Sequence, residues 1–423
     1  MKPKILTTLE NYSLKLLWAD LTAGVTVAMV ALPLSLAIAI ASGAPPEKGI
    51  VTAIIGGFLI SALGGSRVQI GGPTGAFIVV VFGVIAEHGY DGLVLATFMA
   101  GVILILAGLF KAGKLIAFVP EAVVNGFTIG IAIVIAASQL KDLLGLSMAS
   151  VPVHFLEKLS ALWTVRDSFN IASFGLGVVT IFLIVLFRRL APKAPGLIVA
   201  VALTSVAAMI FSLPVDTIGS RFGALPNHLP SLRLPDFSLA RVQELLPSAF
   251  IIAFLAGVES LLSAMVADRM SGGKHRPNAE VLAQGAANMG SSLFGGLPAT
   301  GAIARTATNV RAGGKTPVAG IIHALTILVV MMVAAPLAGY LAMPTLAGLL
   351  LITAWNMSEP HKWKSHLFSG PASDRILLLL TLVLTVVADL TIAIGVGVAL
   401  GLALRLQRRD VPPADWETPE RSV

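Results

Sequence analysis

The sequence predicts an all-α polytopic membrane protein whose fourteen transmembrane segments form two inverted sets of seven. Three observations predict it. The 423 residues are 56% hydrophobic and 12% charged, and the mean hydropathy is +0.90; a soluble domain of this size lacks the polar surface to cover such a core. Apolar runs close to the ~20 residues that cross a hydrocarbon layer recur from residue 19 to residue 404, with only short polar breaks. A polar, proline-rich stretch, "LPVDTIGSRFGALPNHLPSLRLPDFSLARVQ" (213–243), divides those runs into equal halves.

The runs place spans at 19–41, 50–63, 73–86, 91–110, 120–138, 170–187 and 195–212 in the first half. The second half follows with 246–267, 279–294, 302–311, 316–335, 345–357, 374–388 and 390–405. The chain is then a first repeat (1–212), an outer connector (213–245), a second repeat (246–405) and a cytosolic tail (406–423). An odd number of crossings per half turns the second half upside down relative to the first, the layout of secondary transporters. With the N-terminus inside, the cytoplasmic segments receive 21 of the 29 Lys and Arg residues and the outer segments 7, with Arg305 left at membrane depth. That excess is the positive-inside bias. It accounts for the net charge of +7 without nucleic acid and puts both termini in the cytoplasm.

The third span of each half is too short. From Pro73 to Ile85 a helix reaches only ~20 Å at 1.5 Å per residue, and the segment after Thr300 is shorter, against ~30 Å of hydrocarbon. Each follows an extended, Gly- and Pro-marked piece, "RVQIGG" or "FGGLP", so each span reads as part strand, part half-helix. Irregular backbone at that depth survives only where it is buried in protein or lines a cavity. The starts "GGPTGAF" (71–77) and "GLPATGAIART" (296–306) share their chemistry. Pro73 lacks the N–H that a helix start would orphan, Thr74 suits a cap, and Gly75 and Gly301 let a ligand approach the backbone. Two such starts meeting near the midplane aim free N–H groups and positive dipole ends at one spot, which makes an anion site. The plainer alternative is a pair of Pro-kinked helices.

Glu259, in "FLAGVESLLSAMVAD", lies deep in an apolar run. An ionisable group there costs ~2.5–3.5 kcal/mol on insertion scales and marks a functional position. Burial disfavours its charged form, and an anion does not share a small dry site with an ionised carboxylate. Protonation of Glu259, or a cation such as Na+ beside it, removes the conflict, and Ser263 one turn later is placed to help hold that ion. The alternative is a Glu259–Arg305 ion pair that braces the packing. Arg305 either supplies positive field to the site or snorkels to the cytoplasmic surface. His323 reads as a packed, hydrogen-bonded histidine rather than a proton relay. Asn125 and Gln139 read as interhelical hydrogen-bond partners, Gly126 and Gly130 as a close-packing G-x-x-x-G pair, and Asp389 as an interfacial cap rather than a gate.

Enzyme chemistry finds no support. There is no cysteine, hence no disulfide or thiolate site, and no zinc signature, nucleophile elbow or carboxylate pair. "AGGKT" (312–316) is not a phosphate-binding loop, because the required earlier glycine is Asn309 and no strand–helix unit surrounds it. No cofactor is expected beyond a coupling H+ or Na+. The basic N-terminus runs straight into a long helix without a small-residue cleavage site, so no removable signal peptide is expected.

At these residues the chain resembles the sulfate permease (SulP) family of anion transporters. The matching stretches are "ALPLSLAIAIASGAPPEKGIVTAIIGGFLISALGGSRVQIGGPTGAF" (31–77) and "PEAVVNGFTIGIAIVIAASQLKDLLGL" (120–146). "GVESLLSAMVADRMSGGKHRPNAEVLAQG" (257–285) and "GLPATGAIARTATNVRAGGKTPVAG" (296–320) complete them. The resemblance covers the chain to about residue 405 and implies a uracil-permease-like seven-plus-seven fold. In it a core of spans 1–4 and 8–11 moves against a gate of spans 5–7 and 12–14 in an elevator-like cycle. It places the substrate at Gly72, Thr74, Gly75, Ala76, Thr300, Gly301, Ala302 and Ile303, with Glu259 coupling; Arg305 joins these candidates on the residue reading above. A glutamate at the coupling position implies proton symport, an aspartate sodium. The family usually continues into a cytosolic STAS domain; here the sequence stops after the tail "RLQRRDVPPADWETPERSV", so that domain is either cut away or absent from this member. A homodimer through the gate and a bacterial inner membrane are the implied assembly and location. The leading expectation is a proton-coupled importer of sulfate or bicarbonate. Its rivals are a sodium-coupled bicarbonate or C4-dicarboxylate transporter, a passive anion channel or exchanger, and a nucleobase permease.

Overall fold

A computed structural model describes residues 2–114, 121–148, 151–191, 195–359 and 372–388, with scattered positions between 393 and 400. Helices α1 (Leu14–Ala41) and α2 (Pro46–Leu63) open the first half. Ser13 caps α1 by accepting from the Leu16 N–H, and Pro46 begins α2 where a missing N–H does no harm. Strand β1 (Gly71–Gly72) and a 3-10 turn (Gly75–Phe77) lead into α3 (Ile78–Leu109). Gly89, at φ 70° and ψ 178°, breaks α3 and separates the expected third and fourth spans. Then come α4 (Glu121–Leu143), the short α5 (Phe155–Thr164), α6 (Ile171–Leu190) and α7 (Gly196–Ile210).

The second half has α8 (Leu239–Ser271), α9 (Pro277–Leu293), β2 (Thr300–Gly301), α10 (Ile303–Arg311), α11 (Val318–Ala338), α12 (Met343–Met357) and α13 (Ala372–Val387). Thirteen of the expected spans therefore fall on described helices, while 390–405 lies largely outside them. Helix α8 starts seven residues before its expected first residue because Ser238 caps it with the Arg241 N–H. Apolarity alone does not register such a cap. Seven described helices are long and apolar enough to cross a membrane.

The helices sort into two packed groups. Helices α1, α2, α3, α8, α9, α10 and α11 pack on one another, and α4, α6, α7, α12 and α13 form the second group. The connector folds back on the turn before α12: Thr217 bridges to Ala342, and Arg221 holds Asp142 at 2.8 Å and Asp216 at 2.9 Å.

The glycine pair on α4 packs closely, as its spacing predicts. A Cβ at Gly126 would stand 2.4 Å from the Leu378 carbonyl, and one at Gly130 2.6 Å from Thr385, both on α13. Gly126→Val is therefore expected to push α13 away, at roughly 1–3 kcal/mol for overpacking. The check is a lower melting temperature in detergent than the wild type; an unchanged one contradicts the close approach.

Candidate functional site

The two short spans meet. β1 and β2 pair antiparallel, Gly71 against Gly301 and Gly72 against Thr300. The Ala302 N–H extends the pairing to the Ile70 carbonyl at 2.8 Å. Each strand turns at once into its half-helix, so the starts of the Gly75 turn and of α10 diverge from one two-stranded knot at the heart of the first helix group. No side chain caps either start. The leading N–H groups, Gly75 and Ala76 on one tip and Ile303, Ala304 and Arg305 on the other, have no intrahelical acceptor by the geometry of a helix start. Strand pairing brings the two positive dipole ends close together. Ala302 differs from the expected donor role, since its own N–H is committed to Ile70. Thr300 is fully buried and its hydroxyl donates to the Ala256 carbonyl of α8 at 2.9 Å. It fixes the knot rather than facing the site.

Thr74 does not act as a cap. Its backbone is extended, as a cap's would be, but its hydroxyl donates to Glu259 Oε2 at 2.8 Å. A carboxylate is the stronger acceptor, and the diversion leaves the Gly75 tip open. Glu259 is thereby joined to the rim of the first tip and stays partly accessible. Ser263 points elsewhere. It shares a hydrogen bond with Thr306 at 3.1 Å, whose hydroxyl accepts from the Ile70 N–H at 3.0 Å, so it braces α10 against the strand and does not reach Glu259.

Arg305 is buried, 1% exposed, and does not snorkel. It crosses from α10 to the opposite strand, where Nη1 lies 2.4 Å from the Cβ that Gly72 lacks, and Nη2 donates to Ser35 Oγ of α1 at 3.0 Å. Gly72, at φ +147°, gives it that room. No ion pair within 4 Å links it to Glu259 among the described residues, and its Nε and Nη1 have no acceptor. The guanidinium thus ties α10 to α1 through Ser35 and keeps unclaimed donors beside two uncapped helix starts. His323 is also fully buried, with neither ring nitrogen bonded. This differs from the hydrogen-bonded histidine expected: the ring lies against the bare backbone at Gly57 and finds no hydrogen-bond partner among the described residues. On the far side, Ile135 of α4 and Met357 of α12 stand 3.7 and 3.6 Å from the Cβ that Gly75 lacks. The second helix group thus forms an apolar wall.

Two buried carboxylates that the sequence reading passed over hold this arrangement. Glu280, on the first turn of α9, accepts from the Gly65 and Ser66 N–H groups at 2.8 and 3.2 Å, and from Ser260 Oγ and Gln284 Nε2 at 3.0 and 2.8 Å. Ser260 in turn accepts from Gln69 Nε2 at 2.9 Å, and Gln69 lies directly against Gly301. The chain Glu280–Ser260–Gln69 therefore sets the strand from beneath. Asp20 of α1 accepts from the Lys315 and Thr316 N–H groups at 2.8 and 3.1 Å, occupying the helix start that "AGGKT" makes for α11. Burial and the Asp20 carboxylate push the Tyr12 phenol up to about 12, so it remains the donor to Asp20. Their sequence signal was weak: a carboxylate near a span end reads as an ordinary surface charge.

Asn125 and Gln139 do not bond between helices. Among the described residues the Asn125 amide nitrogen has no partner, and Gln139 donates to its neighbour Ser138 at 2.9 Å. Asp389 lies outside the described residues.

Comparison with known proteins bears on the family and the fold. The chain is 44% identical over 351 residues to YvdB of Bacillus subtilis (strain 168), a protein named for sulfate transport; the match covers 83% of this chain and 66% of that one. It is 33% identical over 341 residues to the bicarbonate transporter BicA of a Picosynechococcus species, covering 78% and 60%. The chain thus spans two thirds or less of the length of these relatives. The solved transmembrane domain of a cyanobacterial BicA superposes with a TM-score of 0.81 at 32% identity, covering 91% of this chain and 99% of that one. The murine solute carrier 26 family member A9 shares the fold at a TM-score of 0.85 and 19% identity, covering 96% and 71%. Residues 17–380 match the sulfate permease family, and the chain, an integral membrane protein, belongs to it.

Proposed function

We propose that the chain is a secondary active transporter of small anions, with sulfate or bicarbonate as substrate and a proton as coupling ion. One observation carries the reading: two uncapped half-helix starts, knotted at Gly71–Gly301 and Gly72–Thr300, stand beside Arg305 while Thr74 ties the first to Glu259. The tips and the guanidinium attract an anion that Glu259, when ionised, repels. Protonation switches the repulsion off, so anion and proton load together. The first helix group carries the site past the apolar wall of Ile135 and Met357 on the second, an elevator-like motion in which strand knot and acid move as one body. The names of YvdB and BicA support the substrate class. The two repeats meet at the connector of 213–245, both termini lie in the cytoplasm, and the membrane is the bacterial inner membrane.

Proteoliposomes test this. An inward proton gradient is expected to drive accumulation of labelled sulfate or bicarbonate, with excess unlabelled substrate competing and sodium without effect. Uptake indifferent to both gradients makes the chain a passive anion pathway; uptake driven by sodium alone reassigns the coupling ion.

A further inference from the structure

Helix α5 lies outside the expected spans, and its faces are reversed. Leu156 and Trp163 are strongly exposed, at 62% and 71%, while Lys158 and Leu162, one turn apart, face inward. Lys158 is only 3% exposed. Its Nζ rests 5.2 Å from the centroid of the Phe82 ring, a cation–π contact. None of the ion pairs among the described residues includes it. Burial pushes its ammonium below the usual lysine range.

The position of the contact matters more than its strength. Phe82 stands on α3 seven residues beyond Gly75, ~10 Å outward along the same rod at 1.5 Å per residue. Helix α5 packs on α4 and α13, which belong to the other helix group. Lys158 and Phe82 therefore join the two groups on the outer side of the anion site. A leucine at 158 would make the same seal without burying a charge, so a purely structural seal does not account for a lysine.

We propose that Lys158 is the cation of the outer entrance: it closes the route while resting on Phe82 and offers its ammonium to an incoming anion once the two helix groups part. A compact ammonium on a flexible stem suits a small oxyanion of unfixed orientation. The inference rests on the transporter reading and deepens it.

The chain contains no cysteine, so Lys158→Cys supplies a single modifiable site in the full chain. Uptake of labelled sulfate or bicarbonate into intact expressing cells reads the outer face, and uptake into inverted membrane vesicles reads the inner one. Lys158→Gln is expected to raise the outer-face KM about tenfold, the low end of electrostatic steering, with the inner-face KM unchanged and Lys158→Arg within about twofold of wild type. Unmodified Lys158→Cys should match Lys158→Gln. Aminoethyl methanethiosulfonate, which restores a positive charge, should recover the wild-type KM, and methyl methanethiosulfonate should not. An outer-face KM unchanged in Lys158→Gln, or equal recovery with both reagents, overturns the proposal. If Lys158→Gln does not fold, the two reagents on Lys158→Cys decide alone. Wild-type chain that takes up neither anion from either face removes the transporter reading and this inference with it; wild-type uptake with an indifferent Lys158 removes only the inference.

Discussion

Glu259→Gln is expected to abolish proton-driven accumulation of anion while leaving the protein folded and exchange of one anion for another intact. Two charges ~5 Å apart at an effective dielectric of ~20 repel by roughly 3 kcal/mol, about a hundredfold in affinity. Each helix dipole end returns at most ~2 kcal/mol even in a favourable partly buried setting, so the charge on Glu259 outweighs either tip. Glutamine removes it permanently and still accepts the Thr74 hydroxyl, now bonded at 2.8 Å. Anion then binds whether or not a proton is present, and the gradient loses its grip. Accumulation is expected to fall at least tenfold, with anion exchange near the wild-type rate and little dependence on pH. Gradient-driven accumulation at the wild-type level would remove Glu259 from coupling.

Gly301→Ala is expected to lower uptake by an order of magnitude or more and to reduce the melting temperature. The added Cβ would stand 1.5 Å from Gln69 Nε2, closer than any contact allows. Gln69 has no free retreat, because that nitrogen already bonds to Ser260 O and Oγ at 3.1 and 2.9 Å. Moving it sacrifices two buried hydrogen bonds, each ~0.5–1.5 kcal/mol and more where a group is left unsatisfied, and loosens the register that brings the tips together. Gly75→Ala is the folding control, since its Cβ meets Met357 and Ile135 at 3.6 and 3.7 Å, ordinary van der Waals distances. A melting temperature that drops as far in Gly75→Ala as in Gly301→Ala would contradict this ranking.

Thirteen of the spans, the two truncated starts and the place of Glu259 beside the first of them were legible because the bilayer makes each conspicuous. Twenty apolar residues, a half-length run or a lone carboxylate inside one has few explanations in hydrocarbon. Hydrogen-bond direction was not legible. Thr74 carries the composition of a cap, yet a carboxylate brought 185 positions along the chain from it claims its hydroxyl. Ser263 is one helical turn from Glu259 but faces Thr306, since a serine hydroxyl takes whichever partner the neighbouring helix offers. Glu280 and Asp20 were hidden for a related reason. Near a span end a carboxylate is the commonest of surface residues, and only the fold shows each buried against backbone N–H groups from distant segments. Lys158 was masked in the same way: its helix is short and polar enough to read as a surface loop.

The central claim is that an anion sits between the two half-helix tips. Its most direct measurement is an experimental structure of the full chain with selenate, located by the selenium anomalous signal. The account predicts selenium close enough for selenate oxygens to accept at ~2.9 Å from N–H groups of both tips, Gly75 or Ala76 and Ile303 or Ala304, with Glu259 at the rim. Selenium found away from both tips, or tips unpaired at Gly71–Gly301, would contradict it.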